Sequence, residues 1–142
     1  MKILFICKHN RFRSKVAEAL FNNLIKKQRN KDNKKITAFS RGVSLDKQRM
    51  YVAVNVKKAL RRFGVGRVDN MPRKLTKKDI KIADLIIVSA DNVKLSRKLI
   101  KGKKIIYWNI KDTSQSNYTG ILARVKIIRK KVWGLIRSLR YK

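Results

Sequence analysis

Hydrophobic residues along the chain follow two alternating patterns, short continuous apolar runs and stripes at three- and four-residue spacing. The apolar runs, of which the second only alternates weakly, predict strands at 2–6, 35–40, 83–89 and 104–110. The stripes predict helices at 14–28, 49–63, 77–82, 92–100 and from about 118 onward. Strands that alternate with helices indicate a three-layer α/β fold, with a four-stranded parallel sheet flanked by helices on both faces.

The length and composition predict one domain over residues 1–142, large enough to bury a substantial core. Hydrophobic residues make up 44% of the chain, and it contains one proline. The apolar run at 2–6 is too short for a signal peptide or a membrane span, so we expect a cytoplasmic protein without a membrane span.

The charge is strongly positive, with 39 Lys and Arg against 8 Asp and Glu and a formal net charge of +31. Such a field favours anions, which makes nonspecific binding of polyanions or nucleic acid an expected property. The basic residues are spread along every segment, however. A compositional bias of the whole proteome toward Lys, Asn and Ile would give the same composition.

The segment from Cys7 to Ser14 combines residues suited to phosphate chemistry. It links the first predicted strand to the first predicted helix, so the Cys7 thiol would lie among the free N–H groups of a helix N-terminus, a setting that binds phosphate and favours thiolate. Arg13 offers a planar fork for two phosphoryl oxygens. Asn10 tolerates positive φ and could brace the loop, and the Ser14 hydroxyl could hold the thiolate. The predicted phosphate-binding residues are Lys8, His9, Asn10, Arg11, Phe12, Arg13 and Ser14.

The cysteine also has a purely structural interpretation. A single cysteine that ends an apolar strand is usually an inert core residue. Arginine is common in this chain, so the spacing from Cys7 to Arg13 is weak evidence alone. The preceding strand, the following helix, Asn10 and Ser14 together favour a catalytic loop.

Cys7, Asn10, Arg13 and Ser14, followed by the Ala-Glu-Ala of 17–19, resemble the phosphate loop and first helix of the low-molecular-weight protein tyrosine phosphatase family. The resemblance implies a cysteine-dependent phosphatase that hydrolyses phosphomonoesters, protein phosphotyrosine being the expected substrate, through a phosphocysteine intermediate. A phosphorylated protein or a small aryl phosphate would be its partner, and no cofactor is implied. Ser40 resembles the serine that supports the phosphate loop in this family.

Asp112 follows the last predicted strand and resembles the general acid of the family. Both Cys7 and Asp112 come after strand ends, where ligands of parallel sheets bind, so the two can meet although 105 positions apart (112 minus 7). Asp91 follows the third predicted strand and is the competing candidate. We expect it to be dispensable for catalysis.

The chain departs from the family pattern around this acid and in the loop. Thr113 stands where the family usually has proline, and Ser114 and Gln115 stand where aromatic residues commonly contact the substrate. Phe12 occupies the position of a frequent second cysteine. Cys7 is the only cysteine, which argues against the arsenate reductases of this fold, since these relay a disulfide through further thiols. One histidine and one cysteine exclude an ordinary Cys/His zinc cluster, and no metal is expected.

These departures leave a second function open. A catalytically weak phosphate- or nucleic-acid-binding protein on the same fold would use the loop to hold phosphate and the positive charge to hold its partner. Turnover of an aryl phosphate by the wild type and by Cys7→Ser distinguishes the two.

Overall fold

The computed structural model of the chain describes residues 1–28 and 36–140. Its four strands are β1 (Lys2–Cys7), β2 (Thr37–Gly42), β3 (Leu85–Ala90) and β4 (Ile105–Ile110). Its helices are α1 (Arg13–Lys27), α2 (Val54–Arg62), α3 (Lys77–Ile82) and α4 (Tyr118–Arg140). Residues 29–34, which form a polar stretch between the first predicted helix and the second predicted strand, and the first residue of the strand predicted at 35–40 lie outside the described residues.

The strands form one parallel sheet in the order β2-β1-β3-β4. β1 lies in the middle, and all four residues of its apolar run, Ile3 to Ile6, are completely buried. A central parallel strand is covered on both faces, which explains why its sequence is continuously apolar and not alternating. β1 ends with Cys7 directly opposite Gly42, the last residue of β2.

Helices cover both faces of the sheet. Phe5 and its neighbours on one face pack against α1, α2 and α4, whereas Leu4 and its neighbours on the other face pack against α3 and the segment 93–100. This arrangement confirms the predicted three-layer fold. It also brings the ends of β1, β3 and β4 to one edge, where the loops that follow them meet.

Two predicted helices differ from the structure. α2 begins at Val54 and not at 49, because long-range hydrogen bonds hold the preceding backbone: the Tyr51 carbonyl accepts from Arg11, and the Val52 N–H donates to Asn70. The segment 92–100 forms turns and not a helix. The apolar residues of this segment pack against the sheet, although its backbone is not helical.

α4 is the longest helix and crosses the face that carries α1 and α2. Its predicted apolar stripe lies inward, with Ile121, Val125, Ile128 and Val132 completely buried. No helix within the described ranges is both long enough and apolar enough to cross a bilayer.

Candidate active site

The loop that follows β1 occupies the carboxyl edge of the sheet. The Cys7 side chain is 2% exposed, and the chain turns through residues 8–12 before α1 begins at Arg13. Asn10 adopts a left-handed conformation with φ of 56°, which asparagine tolerates better than most residues. The end of β2 supports the turn from below, since the Cα of Gly42 lies against the backbone of Lys8, His9 and Asn10.

The Asn10 side chain connects this loop to three other segments of the chain. Its Oδ1 accepts from the backbone N–H of Arg73 at 2.9 Å, which fixes the orientation of the amide. Its Nδ2 then donates to the hydroxyls of Ser14 at 2.7 Å and Ser40 at 2.9 Å. All three side chains are completely buried. The loop is therefore held in its shape by polar groups that are shielded from water.

This network directs the Ser14 hydroxyl toward the thiol. Ser14 Oγ lies 2.8 Å from Cys7 Sγ. Because Asn10 already donates to Ser14 Oγ, the hydroxyl hydrogen of Ser14 is free to donate to the sulfur. Ser14 is thus placed to donate a hydrogen bond that would stabilise a negatively charged sulfur.

The Ser40 hydroxyl points the other way, toward Glu18. Ser40 Oγ accepts from Asn10 and donates to Glu18 Oε1 at 2.8 Å. Burial raises the pKa of Glu18 above its ordinary value, although the hydrogen bond from Ser40 and the Lys15 charge oppose this shift. Ser40 therefore lies beneath the loop and is hydrogen-bonded to it through Asn10.

Arg13 is held by the ends of two other strands. Its Nη1 donates to the Ile110 carbonyl at 2.8 Å and to Asp91 Oδ1 at 3.2 Å, and its Nη2 donates to Asn92 Oδ1 at 3.1 Å. The Arg13 side chain is only 3% exposed. These contacts fix the plane of the guanidinium and leave Nε and the rest of Nη2 for phosphoryl oxygens.

Asp112 comes to the same place from the end of β4. Its Oδ2 lies 3.8 Å from Arg13 Nη2, and its side chain is 49% exposed. Its Oδ1 accepts from the Thr113 backbone N–H at 2.8 Å. The structure thus brings the predicted acid to the predicted phosphate loop. Asp91 contacts the other terminal nitrogen of the same guanidinium, Nη1.

The loop that carries Asp112 is braced although it lacks the proline. Asn117 Nδ2 donates to Thr113 Oγ1 at 3.4 Å, and Asn117 Oδ1 accepts from the Gly120 N–H at 2.9 Å. Asn55 Nδ2 donates to the Gln115 carbonyl at 3.0 Å, and Arg124 donates to the carbonyls that flank the acid. Side-chain hydrogen bonds here restrain a loop that lacks the fixed φ of a proline.

Cys7, Arg13 and Asp112 border a cleft of about 710 Å³. His9, Arg11 and Phe12 line it as well. The remaining predicted phosphate-binding residues do not: Lys8 is exposed outside the cleft, and Asn10 and Ser14 are buried below it.

The model of the low molecular weight phosphotyrosine protein phosphatase family matches residues 2–126, which include the loop, the cleft and the acid. The chain belongs to this family. As a member of the family it is a cysteine-based phosphatase.

Solved structures of the family share the fold of this phosphatase. A low molecular weight phosphotyrosine phosphatase from Vibrio cholerae O395 superimposes with a TM-score of 0.84 at 16% identity, covering 99% of this chain and 97% of that one. A low molecular weight protein tyrosine phosphatase from T. tengcongensis gives 0.81 at 23% identity, covering 97% and 99%. An arsenate reductase from Archaeoglobus fulgidus gives 0.65 at 28% identity, covering 92% and 98%. No curated protein sequence matches significantly.

Two residues of the phosphatase site, Asn92 and Glu18, were missed from the sequence, and Asp91 was considered only as a competitor for the acid. Asp91 and Asn92 both contact Arg13. Glu18 accepts a hydrogen bond from the Ser40 hydroxyl below the loop. Their only sequence signal is position: Asp91 and Asn92 directly follow a buried strand whose end faces the site.

Proposed function

We propose that this phosphatase hydrolyses phosphomonoesters through a phosphocysteine intermediate, with Cys7 as nucleophile, Arg13 as phosphate ligand and Asp112 as general acid and base. The observation that supports this most is the meeting of the three side chains at one cleft, with Ser14 Oγ 2.8 Å from the sulfur. A catalytic thiol works only when reduced, so we place the activity in the cytoplasm.

In the first half of the reaction, the Cys7 thiolate attacks phosphorus. The P–S bond forms while the bond from phosphorus to the ester oxygen breaks. Arg13 and the loop N–H groups bind the equatorial oxygens as the charge redistributes. Asp112 gives its proton to the leaving oxygen, which a poor leaving group needs.

In the second half, water attacks phosphorus and the P–S bond breaks. Asp112, now a carboxylate, takes the proton of the attacking water. The sulfur is released as a thiolate and again accepts a hydrogen bond from the Ser14 hydroxyl. Inorganic phosphate and the reduced enzyme result, so the cycle requires no external reductant.

The expected substrates are aryl phosphates, including phosphotyrosine on proteins. Phe12 and Tyr51 are the aromatic residues among those that line the cleft. The loop that carries Asp112 contributes Ser114 and Gln115 to the lining of the cleft. These are the positions where aromatic residues of the family commonly contact the substrate. We therefore expect aryl phosphates to bind with little ring stacking. These 142 residues offer no second thiol, which argues against arsenate reduction through an internal disulfide relay.

The test compares substrates with good and poor leaving groups. Asp112→Asn should slow hydrolysis of an alkyl-like phosphate by about 10²–10⁴-fold and that of p-nitrophenyl phosphate much less, since nitrophenolate departs without a proton. Cys7→Ser should abolish turnover of both substrates.

Two results would contradict the proposal. Equal losses for good and poor leaving groups would show that Asp112 is not the acid. Activity retained in Cys7→Ser would show that hydrolysis does not pass through a phosphocysteine, and no turnover by the wild type would favour the catalytically weak phosphate- or nucleic-acid-binding protein on the same fold.

A further inference from the structure

Arg11 is the feature of the cleft that the proposed mechanism does not use. The residue is 93% buried, being 7% exposed, and it lines the same cleft as Cys7. Its Nε donates to the Tyr51 carbonyl at 2.9 Å, and its guanidinium carbon lies 5.0 Å from the centre of the Tyr51 ring. The backbone and the ring of one residue thus fix both the direction and the plane of the guanidinium.

The rest of this guanidinium has no protein partner within the described residues. The arginines that form ion pairs in that part of the chain are Arg13, Arg41 and Arg73. Asp46 lines the same cleft, but its Oδ1 accepts from the Gln48 N–H and it does not pair with Arg11. The two Nη groups of Arg11 are therefore oriented, largely desolvated and left with four free N–H donors.

A buried charge without a partner is unfavourable, and the free energy is recovered when an anion binds it. Arg13 has protein acceptors on one side, and its other side is the one proposed to bind the scissile phosphate. Arg11 therefore needs an anion other than that phosphate, and the cleft is the way to reach it. A planar, preoriented fork suits a carboxylate or a second phosphate, to which it can bind with two parallel hydrogen bonds.

We infer that Arg11 forms a second anion subsite, which selects phosphomonoesters whose leaving group carries a further anionic group. This inference rests on the proposed phosphatase function and specifies its substrate class. Arg49 is exposed on the same cleft wall and adds positive charge, but nothing in the structure fixes its side chain. Arg11 therefore supplies the selectivity.

The experiment uses a pair of substrates with similar shape and different charge, 4-carboxyphenyl phosphate and 4-carbamoylphenyl phosphate. The readout is the ratio of their kcat/KM values, compared between proteins so that the electronic difference of the leaving groups cancels. Arg11→Met should lower this ratio by about tenfold, since the variant loses the charge-assisted hydrogen bonds to the carboxylate. Arg11→Lys should give an intermediate ratio.

Arg49→Met is the matched control because it removes the same charge from the same cleft. It should change the ratio by no more than about twofold, as expected of an exposed charge. Equal loss of both substrates in Arg11→Met, with the ratio unchanged, would overturn the inference and make Arg11 a support for the Tyr51 segment. An equal fall of the ratio in both variants would also overturn it, in favour of general charge.

Binding measurements test this inference independently of the proposed phosphatase activity. With Cys7→Ser protein, which should not turn over, calorimetry should show tighter binding of the carboxylate compound than of the amide, and Arg11→Met should remove the preference. The same comparison with phosphotyrosyl peptides that carry Glu or Gln beside the phosphotyrosine shows whether a peptide carboxylate can occupy the subsite. Absence of any preference in both ligand pairs would overturn the inference even if hydrolysis is confirmed.

Discussion

Asn10 combines two properties that the phosphate loop needs in one residue. Its backbone adopts φ of 56°, which most side chains resist. Its amide simultaneously joins α1, β2 and the segment at Arg73 through hydrogen bonds of 2.7–2.9 Å. A glycine would satisfy the backbone but leave two buried hydroxyls without a donor, which is why a side chain is useful here.

Gly42 should be among the residues whose replacement most impairs activity. A Cβ at this position would lie 2.8–2.9 Å from backbone atoms of Lys8, His9 and Asn10. Backbone cannot swing aside as a side chain can, so Gly42→Ala should displace the loop. We expect kcat/KM for p-nitrophenyl phosphate to fall about 10²-fold, the usual effect of a misplacement near 1 Å.

Gly66→Ala provides the control for this prediction. A Cβ at Gly66 would have nothing within 4 Å, and its φ is not in the left-handed region. This variant should keep the wild-type kcat/KM. Near-normal activity of Gly42→Ala would mean that the loop tolerates displacement and that the close approach is not important for catalysis.

The residues of the site were predictable to the extent that they are neighbours in sequence. Cys7, Arg13 and Ser14 lie within one strand–loop–helix unit, so their spacing carries the chemistry. Asn92 and the Arg73 N–H reach the loop across 79 and 63 positions, and no local pattern marks such partners. Asp112 was predictable only because strand ends of a parallel sheet meet at one edge.

At the level of elements, α1 has an unusual first turn. It has no acidic residue there and no side-chain cap, and it carries a completely buried lysine, Lys15. Lys15 Nζ donates to Asp69 Oδ2 at 3.1 Å, and Arg73 Nε donates to the same oxygen at 2.8 Å. The catalytic helix is thereby connected through Asp69 to the segment that also supports Asn10.

Asp69→Asn should destabilise the fold, because it leaves Lys15 buried beside a neutral amide. Burial by itself raises the pKa of Asp69, but hydrogen bonds from Arg73, Lys15 and the Met71 N–H lower it by more, to about 2. We expect the free energy of unfolding at neutral pH to fall by about 1–3 kcal/mol, measured by urea denaturation. On a Lys15→Met background the same substitution should have a smaller effect.

The pH dependence follows from the direction of this shift. The folded pKa lies below the ordinary value of 3.8, so the stabilisation by Asp69 is complete above that pH and is lost as the pH falls to about 2. The stability curves of wild type and Asp69→Asn should converge over this range. A constant difference down to pH 2 would show that the Asp69 charge is not what stabilises the helix.

The prediction of elements was accurate where local sequence dominates and wrong where distant partners dominate. The run at 2–6 could be only a buried strand, and the stripe of α4 matched its buried face. The predicted helical extension over 49–53 failed because Arg11 and Asn70 bind that backbone from elsewhere. Segment 92–100 has an apolar pattern compatible with a helix, but the residues that directly follow β3 contact Arg13 instead.

For the whole molecule, the net charge of +31 predicts salt-sensitive binding of polyanions. Each phosphate that is neutralised on duplex DNA releases counterions, giving a log–log slope of about −0.9 per contact. We expect RNA, DNA and heparin to bind with similar affinities that fall steeply between low and physiological salt. Titrations of each polymer at several salt concentrations measure this.

A strong preference for one nucleic acid that persists in high salt would contradict this expectation. The comparisons with known proteins give no support for nucleic-acid recognition, so such a result would point to a second function of the surface. An Arg11→Met protein, tested in parallel, shows whether polyanions occupy the cleft or bind elsewhere.

Arg13 and its contacts are far apart in sequence, so they are synthesised at different times. Cys7 is synthesised about a hundred positions before the Ile110 carbonyl and Asp112, which complete its surroundings. At about 5–20 residues per second, the ribosome needs about 5–20 s to add the 105 residues from Cys7 to Asp112. Throughout that interval the nascent chain contains the Cys7 thiol but not yet Asp112. In every molecule the thiol therefore exists before the active site around it can form.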